Sequence, residues 1–239
     1  VLFISEDREY LLSPGEVLET DLGILEIPED VSPGETVETH LGTEFVARKL
    51  RGPDLFHHFE RTGAPMMPRD IGLVMGHTGI AAGDRVLDAG TGTGVLSAYL
   101  ARAGAEVLTF EQDEEFAEVA RENMELADVA GAVDVRVGDI TEQLDDLSGF
   151  DVLTLDTADA PEVVARAPEL LRPAGYVSVY SPFVEASHEA VDRAREAGLE
   201  AIETLETIQR EMDFGDRGSR PSTAGVGHTG YLTFARNPV

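Results

Sequence analysis

The chain of 239 residues contains no cysteine. That excludes disulfide bridges, thiolate zinc sites and cysteine nucleophiles at once. Basic residues are also scarce. Eighteen lysines and arginines stand against 46 acids, for a net charge of −28, and Lys49 is the only lysine. Such acidity is common in disordered chains. Here, however, 42% of the residues are apolar, and they recur with clear helix and strand periods, which argues for a folded protein. Adaptation to a salt-rich interior, where ions screen the self-repulsion, is the expected meaning of the charge. No apolar run approaches the roughly 18 residues of a membrane span. The opening Val1-Leu2-Phe3-Ile4-Ser5-Glu6 lacks the basic region of a signal peptide. A cytoplasmic protein with no membrane partner, no metal site and no internal repeat is therefore expected.

A chain of this length suits one large domain, or a core domain with a small addition. Residues 1–60 read as a small all-β domain. Val1–Ile4, Leu22–Ile27, Thr36–His40 and Glu44–Leu50 carry strand-forming residues, and Ser13-Pro14-Gly15 and Ser32-Pro33-Gly34 punctuate them. From Asp70, predicted to cap a helix running through His77, the rhythm becomes alternating helix and strand, so residues 61–239 read as an α/β unit. Its predicted strands are Arg85–Leu87, Val107–Phe110, Val133–Val137, Val152–Leu155 and Tyr176–Tyr180, with Ala201–Arg210 and Gly230–Ala235 as a closing pair. Helices are predicted over Glu114–Ala127, with Phe116 among its core-spaced positions, and over Pro161–Leu171 and Ser187–Ala197.

The most informative stretch is Val86-Leu87-Asp88-Ala89-Gly90-Thr91-Gly92-Thr93-Gly94-Val95. An apolar strand ends in an acid, a three-glycine loop follows, and a helix begins. Glycine permits sharp turns and close approach of a ligand, and the helix start offers unpaired N–H groups. A tight turn is one reading and a nucleotide-like cofactor site the other. Glu111, after the next strand, stands where a ribose-binding carboxylate is expected. This order resembles the class I S-adenosylmethionine-dependent methyltransferases, which implies a Rossmann-like sheet and that cofactor. Four acids, Asp88, Glu111, Asp139 and Asp156, fall at or near the ends of predicted parallel strands, where open α/β sheets bind ligands. Within that resemblance Glu111 would hold the ribose hydroxyls. Asp139, followed by Ile140, would receive the adenine amino group. Asp88 would orient the methionine end or brace the loop. Asp156 lies in Leu155-Asp156-Thr157-Ala158-Asp159-Ala160-Pro161, which departs from the Asn/Asp-Pro-Pro-aromatic pattern of many nucleic-acid amino methyltransferases and suggests a different acceptor atom.

Further segments resemble the tRNA adenine-N1 methyltransferases that act on the T-loop at the position conventionally numbered 58, or at 57 and 58 in archaeal-type members. They are Asp84 to Gly94, Phe110-Glu111 before Phe116-Ala117, Ser181-Pro182-Phe183-Val184-Glu185 and Glu206-Thr207-Ile208-Gln209-Arg210. To these are added Arg220-Pro221 and Gly227-His228-Thr229-Gly230-Tyr231-Leu232. The similarity spans essentially the whole chain. It implies methylation of adenine N1 with Asp156 as the catalytic residue. It also implies a tRNA partner and a homotetramer. The candidate substrate contacts are Met67, Tyr180 at a strand end, Arg210 and Arg220 in the basic tail, and His228 and Thr229 in the turn before the last strand. The family commonly has Gln-Ile-Ile-Tyr-Pro-Lys-Asp before the first helix. Here Ala64-Pro65-Met66-Met67-Pro68-Arg69-Asp70 stands instead, with Met67 in place of the tyrosine. Arg210, Arg217 and Arg220, and separately Arg48, Lys49 and Arg51, form the two basic clusters that could face phosphates. Two alternatives are another methyltransferase on the same fold and a non-catalytic tRNA-binding partner subunit.

Overall fold

The computed structural model describes residues 1–239 apart from Asp7 and Val226. The N-terminal strands are β1 (Leu2–Ser5), β2 (Arg8–Leu11), β3 (Val17–Thr20), β4 (Gly23–Glu26), β5 (Thr36–Glu38) and β6 (Glu44–Arg48). They form a four-stranded antiparallel sheet of order β2-β1-β6-β5 and a separate β3-β4 ribbon. Phe3, Leu25 and Phe45 are buried between them. β2 and β3 were not foreseen, because their residues are largely exposed and carry little apolar alternation.

Helices α1 (Gly52–His58) and α2 (Pro68–Thr78) lead into β7 (Arg85–Ala89), α3 (Val95–Arg102), β8 (Glu106–Glu111), α4 (Glu114–Leu126), β9 (Val133–Val137) and β10 (Phe150–Leu155). Then come α5 (Ala160–Ala165), α6 (Ala167–Leu170), β11 (Leu171–Ser181), α7 (Val184–Glu196), β12 (Glu200–Glu206), β13 (Met212–Gly215), β14 (Gly218–Pro221) and β15 (Tyr231–Arg236). Seven strands form one sheet of order β12-β15-β11-β10-β7-β8-β9. Neighbours from β9 to β11 are parallel, while β15 is antiparallel to both of its neighbours. The chain winds outward from β7 to β9 and then crosses back to β10. The carboxyl ends of β7 and β10 therefore flank the point where the winding reverses, which is where such sheets open a crevice.

Three local differences from the sequence reading have physical reasons. Asp70 does not cap α2. Pro68 needs no N–H at the first helical position, so the helix starts earlier with Met67 as its N-cap, and Asp70 falls inside the first turn. The single helix predicted over Pro161–Leu171 is two short helices that meet at Arg166, because Pro168 lacks the N–H that a continuous helix requires. The segment after β12 turns away as an exposed hairpin of β13 and β14 rather than extending the sheet to Arg210. The change of rhythm near residue 60 is not a break in packing. Leu2, Leu50, Leu55 and Phe59 share one buried cluster with Ile71, Val86, Ala98 and Met124.

Candidate active site

β7 runs straight into the glycine loop, and the loop's shape follows from its neighbours. Gly90 has φ +87° and Gly94 has φ +80°, both left-handed. A Cβ on Gly90 would overlap the Asp156 carbonyl oxygen. The loop is pinned on its other side too, with the Gly90 N–H donating to the Phe110 carbonyl at 3.0 Å. Only a residue without a side chain lets the ends of β7, β8 and β10 converge this closely.

Asp88 lies under that loop, 3% exposed. Its Oδ2 accepts hydrogen bonds from Ser97 (2.8 Å) and Thr109 (2.6 Å), and its Oδ1 from Thr154 (2.5 Å). Thr91 joins the network through the Thr109 hydroxyl at 2.5 Å. One carboxyl thus fastens α3, β8 and β10 to β7. Burial raises its pKa, and the three hydroxyl donors act against that rise. Of the two roles the sequence left open for Asp88, the geometry favours bracing. Asp88→Ala would strip three buried hydroxyls of their shared acceptor. A loss of about 2–4 kcal/mol in unfolding free energy is expected. A wild-type urea midpoint for the variant would refute this account.

Above the loop opens a crevice with two lobes. The larger, about 290 Å³, is bounded by Thr62, Gly90, Glu111, Phe116, Ile140 and Asp156, among others. The smaller, about 50 Å³, runs from Ala64 and Met66 along Asp88, residues 90–96 and Asp156. Glu111, at the end of β8, accepts a hydrogen bond from the Gly92 N–H at 2.9 Å and one from the Asp113 N–H at 3.2 Å. Both carboxylate oxygens are thereby fixed in place, and Glu111 lines the larger lobe. Phe116, predicted among core-spaced positions of α4, is instead 36% exposed and forms an apolar wall there. Thr93 borders the smaller lobe, and its buried hydroxyl has no hydrogen-bond partner among the described residues. These features fit S-adenosylmethionine. Phe116 and Ile140 would sandwich a purine, Glu111 would meet a ribose, and the Thr93 hydroxyl would bond the polar amino-acid end.

Asp139 departs in detail from the sequence reading. One carboxyl oxygen accepts both the N–H (2.8 Å) and the hydroxyl (2.7 Å) of Thr141, capping a short turn. Its neighbours Gly138 and Ile140, rather than Asp139, line the large lobe.

Asp156 borders both lobes. Its backbone N–H donates to the Ala89 carbonyl at 2.9 Å, which fixes it beside the glycine loop. The residue is exposed where the crevice opens, with protein packed close around it. That partial enclosure, helped by the nearby charge of Asp88, pushes its pKa up to about 7.

The residues expected to meet a substrate divide into two groups. Tyr180 and Thr229 come together. The Tyr180 hydroxyl donates to the Thr229 carbonyl at 2.6 Å, and Gly230 leaves room for the tyrosine ring. The Thr229 hydroxyl accepts from Arg69 at 2.9 Å and donates to Asp70 at 3.0 Å. Burial, then the charges of Asp156 and Asp70, raise the Tyr180 pKa. His228 is tied to the Pro182 carbonyl at 3.1 Å and to Glu206 at 2.7 Å, contacts that raise its pKa. Met66, not Met67, borders the crevice; Met67 ends as the N-cap of α2. Arg210 and Arg220 lie on the exposed segment around the β13–β14 hairpin, with Arg220 4.0 Å from Asp213, and border neither lobe. Among the lining residues that sequence reasoning missed are Thr62, Gly63, Gln112 and Thr157. No local pattern marks them, because they reach the site only through the tertiary fold.

Residues 58–218 match the family model described as the tRNA methyltransferase complex GCD14 subunit. The chain is 33% identical to the tRNA (adenine(57)-N(1)/adenine(58)-N(1))-methyltransferase TrmI of Methanocaldococcus jannaschii, over 97% of this chain and 92% of that protein. In structure it resembles a SAM-dependent O-methyltransferase from Thermotoga maritima, with a TM-score of 0.81, 28% identity, and coverage of 100% of this chain and 92% of that one. It also resembles the tRNA (m1A58) methyltransferase TrmI from Aquifex aeolicus. There the TM-score is 0.74 and the identity 22%, with coverage of 98% of this chain and 95% of that one.

Proposed function

The chain belongs to the GCD14 family of tRNA methyltransferases, and from that premise we propose that it methylates N1 of adenine in the T-loop of tRNA, at position 58 and also at 57. It is an S-adenosylmethionine-dependent tRNA (adenine-N1)-methyltransferase. The observation that carries the reading is Asp156, a carboxyl of lifted pKa where the two lobes meet, in a chain that matches its relative almost end to end.

S-adenosylmethionine supplies an electrophilic methyl group on a sulfonium. Adenine N1 carries a free lone pair, so the protein needs no base to deprotonate it. Its tasks are to seat the base, exclude water and stabilise the positive charge that grows on the ring. We assign the last task to Asp156, which as a carboxylate also accepts a hydrogen bond from the adenine N6 amino group. The Watson–Crick edge of a T-loop adenine is hidden, so the base must be turned out of its stack. The Tyr180–Thr229 corner, with His228 beside it, is our candidate for the pocket that receives it. Glu111, Gly90, Gly92, Thr93, Phe116 and Ile140 are assigned to the cofactor, with Asp139 as a second contact for the adenine end.

We read residues 1–60 as a β domain that adds RNA or subunit contacts to the catalytic unit of residues 61–239. We further propose a homotetramer acting on tRNA in the cytoplasm. Two features support assembly. Arg210, Arg217 and Arg220 stand away from their own crevice, and Ile208, Met212 and Phe214 on the same segment are exposed, Phe214 at 81%. A second copy placed against that segment would cover apolar surface and bring its arginines towards a neighbouring site. On a protein of net charge −28, such local basic rims are what phosphates require.

The direct test is incubation with methyl-labelled S-adenosylmethionine and unmodified tRNA in high-salt buffer, followed by mapping of the labelled nucleoside. 1-Methyladenosine at positions 57 and 58 is expected. Label at another base, or none, would overturn the assignment.

A further inference from the structure

The outer wall of the crevice is neither helix nor strand. Residues 61–66 run between α1 and α2, with Thr62 and Gly63 against the large lobe and Ala64, Pro65 and Met66 against the small one. Among the described residues, the backbone of 61–66 makes no hydrogen bond. The strap's backbone is anchored at its ends, while the Arg61 side chain donates to the Phe56 carbonyl at 2.9 Å and Met66 packs against the core. At the far end the Met67 carbonyl accepts the first N–H groups of α2. At the near end a single side chain holds Glu60, and that side chain is Asn123.

Asn123 lies in α4 and is 0% exposed. Its Oδ1 accepts the Glu60 N–H at 3.1 Å, and its Nδ2 donates to the Glu60 carbonyl at 2.9 Å. The second hydrogen on Nδ2 goes to the Thr93 carbonyl, also at 2.9 Å. Thr93 is the glycine-loop residue that borders the small lobe and whose buried hydroxyl has no partner among the described residues. One buried amide therefore spends both donors and an acceptor on joining the strap to the loop that faces it across the crevice. A leucine or alanine would pack on a helix face more cheaply, because burying an amide is favourable only when its bonds are met.

We propose that Asn123 is a positioning residue that latches the 61–66 strap over the bound cofactor and so sets how long S-adenosylmethionine and its demethylated product are retained. The proposal rests on the reading of the crevice as the cofactor site. Asn123 touches neither lobe, so its effect should fall on cofactor binding and release and leave the chemical step intact.

Two variants test this. Asn123→Ala removes the whole latch. Glu60→Pro removes only the N–H that Asn123 accepts and leaves α4 untouched; Phe59, with φ −63° and ψ 141°, already has the extended conformation that precedes proline. S-adenosylhomocysteine binding would be followed by calorimetry and stopped-flow release. Strap opening would be followed by tryptic cleavage after the exposed Arg61, with and without S-adenosylhomocysteine. For Asn123→Ala, release about tenfold faster, a similar rise in the KM for S-adenosylmethionine and an unchanged kcat are expected, a change equivalent to about 1.4 kcal/mol. Cleavage at Arg61 should accelerate, and the ligand should protect less. Glu60→Pro should shift the same quantities in the same direction by a smaller factor, and it carries the test if Asn123→Ala fails to fold. Wild-type release from a folded variant, or a fall in kcat with KM unchanged, would overturn the latch. Failure of the wild-type protein to bind S-adenosylhomocysteine would instead overturn the reading of the crevice.

Discussion

Asp156→Ala is expected to lower kcat for tRNA methylation by about 10²–10³-fold, the usual effect of removing one group aimed at charge developing in a transition state. Cofactor binding should persist, because Glu111, the glycine loop and the apolar wall of Phe116 and Ile140 remain in place. Asp156→Asn should be nearly as damaging: it keeps the shape and one acceptor but not the negative charge. The pH dependence separates the ionised carboxylate from a neutral role. The Asp156 pKa is pushed up to about 7, so in the free protein the carboxyl is neutral below that value and ionised above it. If the ionised form acts, kcat/KM measured at low S-adenosylmethionine should rise with pH through about 7. At saturating cofactor the positive sulfonium nearby favours the carboxylate, and the limb should move to lower pH. Asp156→Asn should lose the limb. A flat profile for the wild-type protein, or normal turnover by Asp156→Ala, would sink the assignment.

How much of this could be read from the sequence depends on how local the cause was. The glycine loop, the acids at or near the ends of four parallel strands and the alternation of helix and strand are short-range patterns. Each appears in the structure because strand ends and helix starts are encoded within a few residues. Asp88 shows the limit. Its place after an apolar strand was plain, but its commitment to three hydroxyls depends on Ser97, Thr109 and Thr154, which come from three separate elements. Phe116 fell at a core spacing, yet the helix face it occupies overlooks the crevice rather than the interior. Asn123 is buried in α4, but for a bond to Glu60, 63 residues away, that no periodicity could reveal. The β13–β14 hairpin was missed because its residues are exposed on both faces and so carry no alternation.

The glycine loop yields the second large effect. Gly90→Ala is expected to cost more than about 3 kcal/mol of stability and to abolish cofactor binding in whatever protein still folds. Two costs combine at this position. An alanine at φ +87° is strained, and its methyl group would overlap the Asp156 carbonyl oxygen. Neither partner can yield cheaply. Asp156 is held by its N–H bond to the Ala89 carbonyl at 2.9 Å, and Gly90 by its own bond to the Phe110 carbonyl at 3.0 Å. Relief requires separating the ends of β7 and β10, which displaces both the loop and the carboxyl that we assign to the reacting base. Gly92→Ala is the control. It too has a positive φ, +49°, but its Cβ would meet nothing closer than the Thr62 hydroxyl at 3.9 Å. That substitution should cost only about 1 kcal/mol of stability, the conformational part alone. Thermal melts without ligand compare the two stabilities, and the same melts with S-adenosylhomocysteine should show no ligand-induced rise for Gly90→Ala. Equal losses in the two variants would mean that backbone conformation alone, and not the approach of Asp156, fixes glycine at position 90.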